Sequence, residues 1–196
     1  MKTKLTAKVL LAVAGIAALT FSGNAQAQTA NVTAAVTVQN ALTLTVVNNI
    51  NFGIVAAISD GTQTATLDID ATTNALAATT TGAPAVFASI DSTAAKGGDI
   101  TVEDGANGAT INITINNVID PISGPSAFTL ARFETAYNAG ATVSRTAGTP
   151  FTATFDTAYA AGVNNLAIGA GITTKTTVAT YADATYNGSF DVVFSY

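Results

Sequence analysis

The chain has 196 residues, of which only 10% are charged, and its 12 carboxylates outnumber 7 cations for a net charge of −5. With so few scattered cations there is no basic stripe to neutralise phosphates, which argues against nucleic-acid binding and against anionic membrane surfaces. The sequence holds no His and no Cys, which removes imidazole bases, thiol nucleophiles, disulfides and the usual zinc and copper ligand sets.

The first residues, Met1-Lys2-Thr3-Lys4 with Lys8, precede an apolar run from Val9 to Phe21 and then Ala25-Gln26-Ala27. A basic start, a short greasy centre and an A-x-A site describe a secretory signal peptide over residues 1–27. The apolar run is well short of the ~20 residues that span a bilayer, so export without membrane insertion is expected. Cleavage before Gln28 would leave Lys96, Arg132, Arg145 and Lys175 as the only cations against 12 carboxylates, a net charge of −8. The remaining length suits one domain. A surface this poor in charge is easier to tolerate when much of it is covered in an assembly.

From Asn31 onward the even positions read Val32, Ala34, Val36 and Val38, then Leu42, Leu44 and Val46, while Thr and Gln fill most odd ones. Period-two alternation of β-branched residues describes extended chain with one apolar side. The break at Gln39-Asn40-Ala41 predicts two tandem strands, about 31–39 and 41–47. Asn48 to Val55 predicts a turn or bulge with Phe52 and Ile54 on one side. Residues 63–70 alternate, with Ala65, Leu67 and Ile69 facing in. The Ala/Thr tract 71–84 reads as loop or ragged strand, 85–90 as strand, and Lys96-Gly97-Gly98 as a turn.

Residues 100–102 and 110–118 predict strands, the second being one arm of a hairpin whose loop is the Gly/Asn cluster 103–108. Proline at 121 and 125 is expected to end that strand, because it cannot donate to a ladder. Residues 128–137 fit either period: Phe128, Leu130 and Arg132 alternate, whereas Phe128, Ala131 and Thr135 share a helical face. Strand is the reading for the first half. Short strands are predicted at 152–155 and 165–168, with Gly169-Ala170-Gly171 separating the latter from another at 172–180. The final run places Phe190, Val192, Phe194 and Tyr196 on one face, a strand locked into a sheet. Many short strands with frequent turn signals add up to an all-β sandwich.

Chemistry has few places to reside. Asp68 and Asp70 share an outward face and could clasp calcium, although Asp-Ile-Asp lacks the other oxygen ligands and the glycine of a calcium loop; a solvated strand face is the simpler reading. Glu103-Asp104-Gly105 reads as a turn. Lys96 and Lys175 could form isopeptide links with Asn side chains, but no spacing favours this over solvation. No catalytic, cofactor-binding or metal-binding residue is assigned, and no enzyme is expected.

Three segments in order carry a resemblance: Leu42-Thr43-Leu44 followed by Ile50-Asn51-Phe52-Gly53, then Leu166-Ala167-Ile168-Gly169-Ala170, then Tyr186-Asn187-Gly188 running to Phe190 and Tyr196. This layout resembles a family of secreted bacterial β-proteins of unassigned function, itself similar to spore coat protein U and to subunits of archaic chaperone–usher pili. The resemblance implies an immunoglobulin-like, pilin-like sandwich (41–196) that lacks one strand. An N-terminal extension (28–40) would act as donor strand for the next copy, with a periplasmic chaperone filling the gap beforehand and an outer-membrane usher assembling the fibre. Carried onto this sequence, the donor side chains are Val32, Ala34, Val36 and Val38. The acceptor edges are Leu42, Leu44 and Val46 on one side and Phe190, Val192, Phe194 and Tyr196 on the other. The disulfide frequent in those pilins near Asn-Phe-Gly has no counterpart here. The expected function is therefore a homopolymeric fimbrial subunit at the cell surface, reached through the periplasm. The alternatives are a non-polymeric secreted or surface sandwich that binds a protein or glycan, and an outer-membrane barrel. The absence of tryptophan and the Ala/Thr-rich strands speak against the barrel.

Overall fold

The computed structural model of the chain describes residues 41–59, 61–177 and 181–196. The expected leader and the expected donor strand with Val32, Ala34, Val36 and Val38 lie outside the described residues. Twelve strands follow in order: β1 (Thr43–Asn48), β2 (Ile54–Ile58), β3 (Ala65–Ile69), β4 (Leu76–Thr80), β5 (Val86–Asp91), β6 (Gly98–Glu103), β7 (Thr110–Ser123), β8 (Ser126–Tyr137), β9 (Val143–Arg145), β10 (Phe151–Thr154), β11 (Asn164–Thr174) and β12 (Asn187–Ser195). A 3-10 turn, Tyr159–Gly162, precedes β11. The protein is all-β, and among the described residues every strand pairing is antiparallel.

Two groups of strands face one another in a sandwich-like arrangement. In the first, β1 pairs β6, β6 pairs β11 and β11 pairs β8, with β9 beyond β8; β3 and then β4 continue from the upper half of β11. In the second, β7 is flanked by β12 and β10. The groups join where the β7–β8 hairpin closes through Ile122–Ala127 and Ser123–Ser126. β2 and β5 form a separate two-stranded ribbon. Among the described residues the strand path runs from β1 to β10 without those two pairing.

Alternation explains the core. β3 presents Ala65, Leu67 and Ile69, β7 presents Ile111, Ile113 and Ile115, and β11 presents Leu166 and Ile168, each at most 1% exposed. Side chains of this size stabilise by roughly 1.5–3 kcal/mol each when fully buried. Packing of the two faces holds the sandwich together without any disulfide.

Several local expectations are corrected. The 103–108 loop is not a hairpin: β6 pairs β1 and β11, whereas β7 pairs β10, β12 and the tip of β8. The loop carries the chain from one layer to the other. Pro121 does not end β7, because the β12 pairing slips there, leaving Asp120 and Pro121 opposite Gly188. A Cβ on Gly188 would lie 2.6 Å from the Ile119 carbonyl and 2.9 Å from the Pro121 nitrogen, so the missing proline donor falls at a bulge.

Gly169-Ala170-Gly171 is not a break but the middle of β11. Its glycines lie where neighbours crowd the strand: a Cβ on Gly169 would strike the Ile69 carbonyl, and one on Gly171 the Asp68 carboxylate. Gly98 likewise is not a turn residue but opens β6. Phe52 and Ile54 do not share a side; Phe52 packs on the core while Ile54 is exposed. Gly53, at φ +74°, turns the chain between them.

Residues 128–137 are strand throughout. Gly169 pairs Glu134 and Gly171 pairs Ala131, so Arg132 and Phe133 stand opposite the single residue Ala170. The inserted residue, Arg132 at φ +57°, moves the buried positions from Phe128 and Leu130 to Phe133 and Thr135. That change of parity gives the segment its mixed periodicity.

Candidate interaction groove

β1 and β12 each pair with one neighbour among the described residues, β6 and β7 respectively. Their other edges border a common groove of about 840 Å³. The register of β1 explains what faces into it. Leu44 pairs Val102 and Val46 pairs Ile100, and since Val102 and Ile100 point into the core, the Leu44 and Val46 side chains point the same way. With no strand above them among the described residues, Leu44 is 44% and Val46 61% exposed. On the opposite wall, Val192 pairs Ile115 and Phe194 pairs Ile113, so Phe190, Val192 and Phe194 take the core-facing side of β12.

The floor is the core itself. Ile100, Leu130 and Ile168 line the groove from below, and Gly98 leaves room where a Cβ would lie 3.2 Å from Ile50. Phe190 is fixed by an edge-on contact with Phe133, ring centroids 5.0 Å apart. Asp191 lies on the groove's lining and accepts from the Asn117 amide at 2.6 Å. Asn117, at φ +50°, marks a second bulge: Asn117 and Val118 stand opposite Phe190 alone.

Of the expected acceptor residues, Leu44, Val46, Phe190, Val192 and Phe194 line this one groove. Leu42 packs against the core without lining it, and Tyr196 lies just beyond β12, 45% exposed. Sequence reasoning did not name Ile50, Phe52, Pro121 or Tyr186 as lining residues. The Asn-Phe-Gly motif was the available signal for Phe52. The Asn51 backbone exchanges two hydrogen bonds with Lys96, both 2.8 Å, and its side chain accepts from the Gly53 N–H at 2.8 Å. These bonds place Phe52 at the end of the groove.

The paired carboxylates are committed separately. Asp68 forms an ion pair with Arg132 at 3.0 Å, and burial pushes its carboxyl above the ordinary value while Arg132 pulls the other way. Asp70 Oδ1 accepts from the N–H and hydroxyl groups of both Thr72 and Thr73. The Thr73 N–H, then the Thr72 N–H and hydroxyl, bring the Asp70 carboxyl down to about 2. Among the described residues no three metal-ligating carboxylates converge. Lys175 donates to Asp120 at 2.7 Å. Burial raises the Asp120 carboxyl, but the bonds from Lys175 and the Leu130 N–H outweigh it and leave it below its ordinary value. Among the described residues, no helix is long and apolar enough to cross a membrane. The arrangement is suited to receiving an extended chain, with backbone donors and acceptors on two edges and apolar side chains beneath. The chain matches no protein-family model, no curated protein and no solved structure.

Proposed function

We propose that this chain is the structural subunit of an extracellular fibre, built on an immunoglobulin-like sandwich and polymerised by donor-strand complementation. One copy supplies residues 31–39 and the next receives them between β1 and β12. The observation that supports this reading is the pair of strand edges bordering an apolar groove floored by Ile100, Leu130 and Ile168. A strand added there gains ladder hydrogen bonds for grip and side-chain contacts for register.

The energetics are adequate for a durable joint. Burying Val32, Val36 and Val38 contributes about 5–9 kcal/mol before ordering costs, and each ladder bond adds about 0.5–1.5 kcal/mol. Ordering the arm opposes this gain, yet a threaded strand must leave as a unit, so dissociation is slow. Export by the N-terminal leader, passage through the periplasm and handling by a chaperone and usher complete the reading.

The test is a chain lacking residues 31–39, with a peptide of those residues supplied separately. The truncated chain should fold, fail to polymerise and bind the peptide with a gain in thermal stability. If it polymerises unchanged, or folds without taking up the peptide, the donor-strand reading is wrong. Separately, the intact protein should run as a ladder on an unboiled denaturing gel and as a single band once boiled.

A further inference from the structure

We propose that the outer face of the first layer, across the rim of Asn48, Gly98 and Asp99 that it shares with the groove, carries a binding site for one neutral pyranose unit of a glycan. This inference is independent of the fibre reading.

The site is a hollow of about 260 Å³. It exists because the outward residues beneath it are small: Ala167 of β11 faces outward, paired with Ala136 of β8 on one side and Asp99 of β6 on the other. Around that floor stand seven polar or aromatic residues: Asn48, Thr72, Asn74, Lys96, Asp99, Tyr159 and Asn165. The walls are held in place. Asn74, at φ +58°, accepts from the Gly97 N–H at 2.6 Å, and the Asn165 amide bonds the Asp99 carboxylate.

The loop bearing Tyr159 is tied down by its neighbour Asn164, which is 0% exposed. The Asn164 carbonyl oxygen accepts from the Tyr137 hydroxyl, the Asn138 amide and the Asp156 N–H, and its amide donates to the Asp156 and Gly162 carbonyls. Buried Asn164 thus anchors the loops while Asn165, next along β11, turns to the hollow.

The chemistry selects the ligand. Side-chain amides offer donors and acceptors together and a carboxylate offers acceptors only, the set that matches the adjacent hydroxyls of a sugar. A tyrosine supplies an apolar ring face with a polar tip, suited to the C–H face of a pyranose. The single ammonium of Lys96 is balanced by Asp99, so the walls carry no net charge, and the chain as a whole is acidic. Phosphates and acidic sugars would want convergent cations that are not present here. The volume is below the ~300–1,000 Å³ of sites for drug-sized ligands, which fits one ring rather than a peptide.

Saturation-transfer difference NMR on the full chain reads the sugar protons whether the protein is monomeric or polymeric. The probes are methyl glycosides of glucose, galactose, mannose and N-acetylglucosamine, with glucuronic and sialic acid glycosides alongside. At least one neutral sugar should show saturable transfer in the millimolar range, strongest at the protons of one ring face. Tyr159→Ala, on an exposed loop, should weaken it by roughly tenfold or more, and Ala167→Val, which fills the floor, should do the same with the melting profile preserved. Absence of transfer from every neutral sugar overturns the proposal. So does transfer that both variants leave intact, or a preference for the acidic glycosides.

Discussion

Asp70 shows how a single side chain sets a turn. Its Oδ1 gathers four hydrogen bonds from Thr72 and Thr73 and so caps the corner between β3 and β4. All four favour the ionised form, which is why its carboxyl falls from 3.8 to about 2. Because the folded value is the lower one, this support is fully present above pH 3.8 and is lost as pH falls through about 2. A carbon-detected NMR titration of the Asp70 carboxyl should therefore have its midpoint near 2, with the Thr72 and Thr73 amides shifting in step. Gly171 works by absence instead: a Cβ there would meet the Asp68 carboxylate and the Arg132 stem. Gly171→Ala should lower stability by about 1–3 kcal/mol in chemical denaturation, the range for overpacking a filled site. Gly108, with nothing within 4 Å but φ +75°, reports on backbone strain alone.

At the scale of elements, alternation was legible wherever a strand kept its parity. The inward residues of β3, β7 and β12 could be read directly from residues 63–70, 110–118 and 190–196. What could not be read were the places where partners force an exception. The β8 bulge at Arg132 exists because β11 carries one residue fewer between Gly169 and Gly171, a relation between distant segments. The same holds for Pro121, admitted because Gly188 lies opposite, and for the glycines of β11, which resemble a turn until β3 is laid beside them. Of the groove, the two walls were named only through the family resemblance, on segments whose period-two patterns were legible, and the floor was not named at all, since Leu130 and Ile168 look like any other core residues. Deleting Arg132 should restore one parity along β8 and so turn either Phe128 and Leu130 or Phe133 and Thr135 outward. That variant should lose cooperative thermal unfolding by circular dichroism, whereas Arg132→Gly, which keeps the bulge and suits φ +57°, should retain it.

For the whole molecule, low charge, absent cysteines and an apolar groove bordered by two strand edges form one consistent picture. A sandwich with core residues flooring a groove gains stability from a strand that enters it, and in the proposed fibre that strand would come from a neighbour. The polar hollow has Ala167 and Ala136 as its floor and meets the groove along Asn48, Gly98 and Asp99. Filling the groove by another means should cost assembly but not folding: Val46→Lys, which sets an ammonium among the apolar walls, should preserve the circular dichroism spectrum while abolishing the gel ladder. The most direct measurement places a photo-crosslinking side chain at Val36 in isotopically heavy chains, mixes them with light chains lacking it, and maps the products by mass spectrometry. Heavy-to-light crosslinks should fall on β1 and β12, around Leu44, Val46, Phe190 and Val192. Crosslinks confined to the heavy chain's own sequence, or heavy-to-light crosslinks that avoid both strands, would contradict donor-strand assembly.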